Sequence, residues 1–178
     1  MIFNNSIETS RLILQPESIA DFPRFYSMTI DPEVMKYIGD GTVFHWTEDV
    51  AFEKYQERIS NRENQELGNL AVYRKDVNQY IGWCSIGESR FLGKMELSYR
   101  FCRDSWSNGY ATEAARAILI QTFDLTGIGQ IFSCTHPENS ASMAILKKLG
   151  FVLSYHILSR PINREMPVFL VTRETVRA

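Results

Sequence analysis

The sequence predicts an α+β protein built around a mixed sheet, and three observations predict it. Helical spacing dominates the first 60 residues. Strict two-residue alternation takes over at 95–102. Helix-like and strand-like segments then alternate to the end of the chain.

In order along the chain, Arg11-Leu12-Ile13-Leu14 is a short apolar run that suits a first strand. From Ser18 to Met28 the residues Ile19, Phe22, Phe25 and Tyr26 recur at helical spacing, with Ser18 as N-cap and Pro23 in the tolerant first turn. Asp31 and Pro32 open a second short helix over 31–38 as N-cap and first helical residue, and Gly39-Asp40-Gly41 ends it. A longer helix is expected from a Thr47 cap to about Ser60. Leu70-Ala71-Val72-Tyr73 and the run 80–86 read as strands across a polar turn at Asp76-Val77-Asn78.

Met95, Leu97, Tyr99 and Phe101 then alternate with Glu96, Ser98, Arg100 and Cys102, giving a strand with one apolar and one mixed face. Ala115, Ile118, Leu119, Thr122 and Phe123 form one stripe of a helix over 111–125, which Gly127 and Gly129 stop. Strands at 131–134, 151–158 and 167–171 and a helix from Asn139 to Leu149, closed by Gly150, complete the chain.

Bulk properties narrow the function classes. With 178 residues, one domain spanning 1–178 buries enough core without disulfides or metals. The formal charge of −2 gives no nucleic-acid footprint, which needs clustered Lys and Arg. Met1-Ile2-Phe3-Asn4-Asn5 lacks the basic and apolar opening of a signal peptide, and no apolar run approaches the roughly 18 residues of a membrane span. Cys84, Cys102 and Cys134 are far apart and read as reduced core thiols. His45, His136 and His156 have no second ligand at metal spacing. A cytoplasmic, metal-free protein with no membrane or nucleic-acid partner is expected.

The chemistry concentrates where the strand 96–101 passes through the loop Cys102–Asn108 into a helix opening at Gly109-Tyr110-Ala111-Thr112. A strand feeding a helix N-terminus through small residues makes an anion site, because the first helical N–H groups lack internal partners. An ordinary strand-to-helix loop is the alternative reading. There is no P-loop and no GxGxxG.

Trp106-Ser107-Asn108-Gly109-Tyr110-Ala111-Thr112-Glu113-Ala114 resembles the pyrophosphate loop and helix of the GNAT acetyltransferases, in the subgroup that includes RimJ and RimL. Glu8-Thr9-Ser10-Arg11-Leu12-Ile13-Leu14 is similar to that family's opening strand, and Asp31 to Tyr37 to its first helical hairpin. Asn139 to Ser142, with Lys147-Lys148-Leu149-Gly150-Phe151, resembles its second CoA-side helix and the strand after it. Two departures stand out: Ser107 replaces a usual glycine, and Leu146 occupies the place of the tyrosine that often protonates the leaving thiolate.

The resemblance implies a mostly antiparallel central sheet flanked by helices, and acetyl transfer from acetyl-CoA to an amine. A homodimer remains open. It implies a donor site at Ser107, Asn108, Gly109, Tyr110, Ala111 and Thr112, with Phe101 and Arg103 bonding the pantetheine arm through their backbone and Asn139 assisting. Ser142, one helical turn before Leu146, is the candidate acid, and Glu96 the candidate base acting through water. A helix-start serine, a capping Asn139 and a surface-strand glutamate are the plain alternatives. The first helices and the loop Gly39–Trp46, with Phe44, His45 and Trp46, are expected on the acceptor side. A non-catalytic acyl-CoA-binding regulatory module is the other reading.

Overall fold

The computed structural model describes residues 6–39, 41–60 and 68–177; residues 1–5, 40, 61–67 and 178 lie outside the described residues. The strands are β1 (Ile7–Glu8), β2 (Leu12–Pro16), β3 (Asn69–Arg74), β4 (Gln79–Ser89), β5 (Lys94–Phe101), β6 (Gln130–Cys134), β7 (Val152–Ser159) and β8 (Arg164–Thr172). The helices are α1 (Phe22–Thr29), α2 (Pro32–Met35), α3 (Glu48–Ser60), α4 (Tyr110–Leu125), α5 (Ser140–Lys148) and α6 (Arg173–Arg177). The strands form one eight-stranded sheet in the order β1-β2-β3-β4-β5-β6-β8-β7. Every pairing is antiparallel except β5 with β6. The expected mixed, mostly antiparallel sheet is present.

Local chemistry explains the element ends. Asp31 caps α2 by accepting from the Glu33 N–H at 2.9 Å, and Pro32 takes the first helical position. The Thr47 hydroxyl accepts from Val50 N–H at the start of α3. The helix expected from Ser18 begins later, at Phe22. Ile19–Asp21 forms a 3-10 turn in which the Asp21 carboxylate accepts from the Ser18 N–H at 2.8 Å. Asp21 also accepts from the Tyr73 hydroxyl, which pins this turn to β3. β1 and α6 carry too few residues to show a period.

The two faces of the sheet hold different layers. Leu97, Phe101, Ile118, Leu119, Phe123, Leu146 and Leu149 belong to the main core, between the sheet and the pair α4 and α5. Each such side chain contributes about 2 kcal/mol by leaving water. On the opposite face Met28 and Val34 cover Tyr80 and Trp83, while Phe22, Ala51 and Tyr55 join α1 to α3.

A bulge in β4 sets which residues face which layer. Val72 pairs with Gly82 and Tyr73 with Tyr80, leaving Ile81 as the extra residue. Tyr80 and Trp83 therefore share the α1–α3 face, while Ile81 and Cys84 share the α4 face. Gly82 has φ 149°, and an added Cβ would lie 2.3 Å from the Arg100 carbonyl oxygen and 2.8 Å from the Phe101 Cα. Gly82→Ala is expected to destabilise the protein by about 2–4 kcal/mol in urea titration, combining backbone strain with a forced shift of β5. Gly87→Ala, on the same strand with nothing within 4 Å of the new carbon, is the neutral or stabilising control.

Candidate active site

β5 and β6 share a single registered pair, Glu96 with Phe132, and then part. The Ser133 hydroxyl donates to the Leu97 carbonyl at 3.0 Å, so odd-numbered residues of β5 aim their backbone groups at β6. Beyond the split, the N–H and C=O of Tyr99 and the N–H of Phe101 therefore open into the gap. The Phe101 carbonyl is taken by the Trp106 indole N–H at 2.9 Å. A cleft of about 570 Å³ occupies the space between α2, the end of β5, the start of α4 and the start of α5. The stacked rings of Tyr37 and His136, 5.1 Å apart, link α2 to the loop before α5.

One end of the cleft is an anion cradle. Ser107 and Gly109 both have left-handed backbones, with φ 63° and 78°. Gly109 is the N-cap of α4 with no side-chain cap, and the first intrahelical bond runs from Glu113 N–H to the Gly109 carbonyl. The N–H groups of Tyr110, Ala111 and Thr112 are thus left at the positive end of the helix dipole, and all three residues line the cleft. These exposed donors fit a diphosphate, and the free edge of β5 fits an amide-bearing arm. The site has what acetyl-CoA requires.

The cradle is held from outside by one carboxylate. Glu113 accepts from the Thr9 hydroxyl at 2.5 Å, from Arg11 N–H at 3.0 Å and from the Arg11 guanidinium at 2.6 and 2.7 Å. The same guanidinium donates to the Asn108 carbonyl at 3.0 Å and lies over the Tyr110 ring. Burial pushes the Glu113 pKa up, but the bonds from Thr9 and Arg11 and the charge of Arg11 outweigh it. The carboxyl is held below its usual range.

The other wall carries hydroxyls. Asn139 caps α5 by accepting from Ser142 N–H at 3.0 Å, which leaves its amide nitrogen for a ligand. The Ser142 hydroxyl lies 3.0 Å from that of Tyr99, and both residues line the cleft. Burial raises the Tyr99 pKa, so its phenol stays protonated. Leu146, one turn beyond Ser142, is fully buried in the main core and does not reach the cleft. Glu96 sits where the strands part, with Cys134 N–H donating to its carboxylate at 3.2 Å. Its pKa is raised by burial, against the lowering effect of bonds from Ser89 and Cys134.

Phe101, Ser107, Gly109, Tyr110, Ala111, Thr112, Asn139 and Ser142 therefore line one cleft. Arg103, Asn108 and Glu96 do not. Arg103 lies past the end of β5 in a 3-10 turn, where its carbonyl accepts from Trp106 N–H. Asn108 closes the loop on itself by donating to the Ser105 and Trp106 carbonyls. Of the two parts expected on the acceptor side, the first helices and the loop Gly39–Trp46, only α2 and the turn after it line the cleft. Lys36, Tyr37 and Ile38 line the cleft, whereas Thr42–His45 form a 3-10 turn elsewhere and Trp46 packs on the α1–α3 cluster. Sequence reasoning missed Tyr99 and Arg100. A tyrosine on the apolar face of a strand was the available signal, because a buried phenol needs a partner.

Residues 11–152 match the acetyltransferase (GNAT) domain. Over 146 residues the chain is 30% identical to YnaD, an uncharacterized N-acetyltransferase of Bacillus subtilis (strain 168), with 81% of each chain covered. An acetyltransferase (GNAT family) from Bacillus anthracis superposes with a TM-score of 0.81 at 22% identity, covering 96% of this chain and 99% of that one. RimL, a ribosomal L7/L12 α-N-protein acetyltransferase in complex with coenzyme A, superposes at 0.80 with 12% identity, covering 96% and 99%. At those identities the two structures speak for the fold alone.

Two outcomes follow from the cradle. Ser107→Gly is expected to raise stability by about 0.5–1 kcal/mol in thermal melts, because an L-residue is disfavoured at positive φ. Glu113 has a lowered folded pKa, so its contribution is complete above the ordinary glutamate range and is lost as pH falls through the folded value. The stability gap between wild type and Glu113→Gln, followed by denaturant titration from pH 7 downward, should therefore close on the acid side. A gap independent of pH would refute the clamp.

Proposed function

This chain belongs to the GNAT acetyltransferase family, and we propose that it transfers an acetyl group from acetyl-CoA to a primary amine by direct attack on the thioester. The amine is a protein N-terminal α-amine or that of a small molecule, in keeping with the RimJ- and RimL-like motifs. The observation that carries the reading is the Ser142 hydroxyl, coupled to Tyr99 in a cleft that ends at the uncapped start of α4.

The chemistry divides among this chain's residues. The helix start and Ser107 hold the diphosphate, and the free backbone edge of β5 aligns the arm and polarises the thioester carbonyl. Holding donor and amine together is worth roughly 7–11 kcal/mol in well-oriented systems. The amine nitrogen attacks the carbonyl carbon and the carbon–sulfur bond breaks. Ser142 gives the departing sulfur a proton, with Tyr99 donating to Ser142 behind it. Glu96, made more basic by burial, takes the amine proton through water.

An α-amine suits this equipment, being roughly 10–15% neutral at pH 7 against well under ~0.1% for a lysine side chain. The free thiols of Cys84, Cys102 and Cys134 suit a reaction in the cytoplasm.

The test combines thiol release from acetyl-CoA with mass spectrometry on peptides that carry one lysine and a free or blocked N-terminus, alongside small amines. Release with free α-amines is expected. Ser142→Ala should lower kcat by about 10²-fold or more while leaving acetyl-CoA affinity by calorimetry within about twofold. Thiol release no faster with any amine than without one would sink the transferase reading. Acetylation chiefly on lysine would overturn the α-amine preference, and a kcat loss below about threefold would return Ser142 to a helix-start role.

A further inference from the structure

The face of the sheet opposite α4 carries a positive charge without a counter-charge. Arg100 leaves β5 on this face, with its guanidinium 5.6 Å from the centre of the Trp83 ring, and reaches the cleft. Among the described residues its Nε is buried without a hydrogen-bond partner, and no carboxylate forms an ion pair with it. The neighbouring cation, Arg58, is already committed to the buried Glu17 at 2.8 and 3.3 Å. On the cleft wall opposite, Glu33 and Lys36 of α2 and its following turn balance each other in charge, so Arg100 sets the sign. Burial pushes the Arg100 pKa down to about 10, which still leaves it charged at neutral pH.

Among the described residues, the same face holds three more buried side-chain polar atoms without a partner: Trp83 Nε1, the Tyr80 hydroxyl and Thr29 Oγ1. Indole and guanidinium nitrogens can only donate, and the two hydroxyls can donate. Buried polar groups are otherwise almost always paired, because leaving one unpaired costs free energy. Thr29, Tyr80 and Trp83 do not line the cleft, so the group that faces it is Arg100, a guanidinium without a counter-charge that calls for an oxygen-rich anion. Arg100 presents a planar fork beside Trp83, and a fork suits a carboxylate's two oxygens.

We infer that Arg100 receives a carboxylate carried by the amine acceptor, so that the enzyme acetylates amines that also bear an acidic group. This rests on the acetyl-transfer reading above. Because Arg100 is adjacent to Tyr99 but on the opposite face, the carboxylate is held on the α2 side while the amine enters the strand gap.

Two measurements test it. In the first, kcat/KM is compared for β-alanine and γ-aminobutyrate against their carboxamides, and for peptides beginning with Asp against Asn. Wild type is expected to favour the carboxylate members by about tenfold or more, and Arg100→Met to lose that preference. In the second, melting temperatures are read with coenzyme A present, which needs no turnover. The carboxylates should raise the wild-type value more than the carboxamides do, and should not do so in Arg100→Met. Without ligand Arg100→Met should melt no lower than wild type, since it removes an unpaired buried charge.

Equal treatment of carboxylate and carboxamide by wild type, a preference that survives Arg100→Met, or stabilisation by inorganic phosphate alone would each overturn the proposal. If coenzyme A binds but no amine is acetylated, the transferase reading fails and the melting arm still decides for or against the carboxylate.

Discussion

Two strands that begin as neighbours and then separate are the constraint on which the site depends. β5 stays in register with β4 as far as Phe101, whereas β6, paired with β8 along its other edge, keeps only the Glu96–Phe132 pair with β5. A ladder that ends mid-sheet leaves backbone groups to be satisfied, and the chain meets this in two ways. At the closed end, the Ser133 hydroxyl and the Glu96 carboxylate replace ladder bonds with side-chain bonds across the gap. At the open end, the backbone of Tyr99 and the N–H of Phe101 face the cleft, while the Phe101 carbonyl is taken by the Trp106 indole. The binding surface is a sheet interrupted on purpose, and the bulge at Ile81 and Gly82 keeps Trp83 and Arg100 aimed at the far side.

The second organising contact joins two segments about a hundred residues apart. Thr9, Ser10 and Arg11 converge on Glu113, while Arg11 also reaches the Asn108 carbonyl. The opening strand and the phosphate loop were recognisable as separate motifs; in three dimensions they are the two halves of one interaction. Its negative charge lies in the first turn of α4, where the dipole favours it. The loop before α4 thereby has its left-handed residues, Ser107 and Gly109, fastened from outside.

Much of the fold was legible because burial wrote its period into the chain. The α4 stripe, the alternation in β5 and the caps at Asp31, Thr47 and Asn139 all lie where local chemistry puts them. The site was less legible wherever direction mattered more than spacing. Ser142 and Leu146 share a helix face by count, yet Leu146 is fully buried in the core, and the cleft side of α5 runs on from Ser142 through Ile145 and Lys148. Arg103 continues the alternation of β5, but the strand ends first, because Cys102 begins a 3-10 turn. Tyr99 and Arg100 looked like routine members of an alternating strand. Their importance comes from the departure of β6, which no local pattern encodes.

The split between β5 and β6 also has a meaning for how the chain assembles. β3, β4 and β5 form a meander of sequential antiparallel neighbours, and β7 with β8 form a hairpin that carries β6. These two pieces meet through one parallel pair, the side-chain bonds of Ser133 and Glu96, and the helices laid across the join. On the acetyl-transfer reading proposed above, acetyl-CoA would lie along that seam and touch both pieces, bridging a join that the sheet itself leaves almost open.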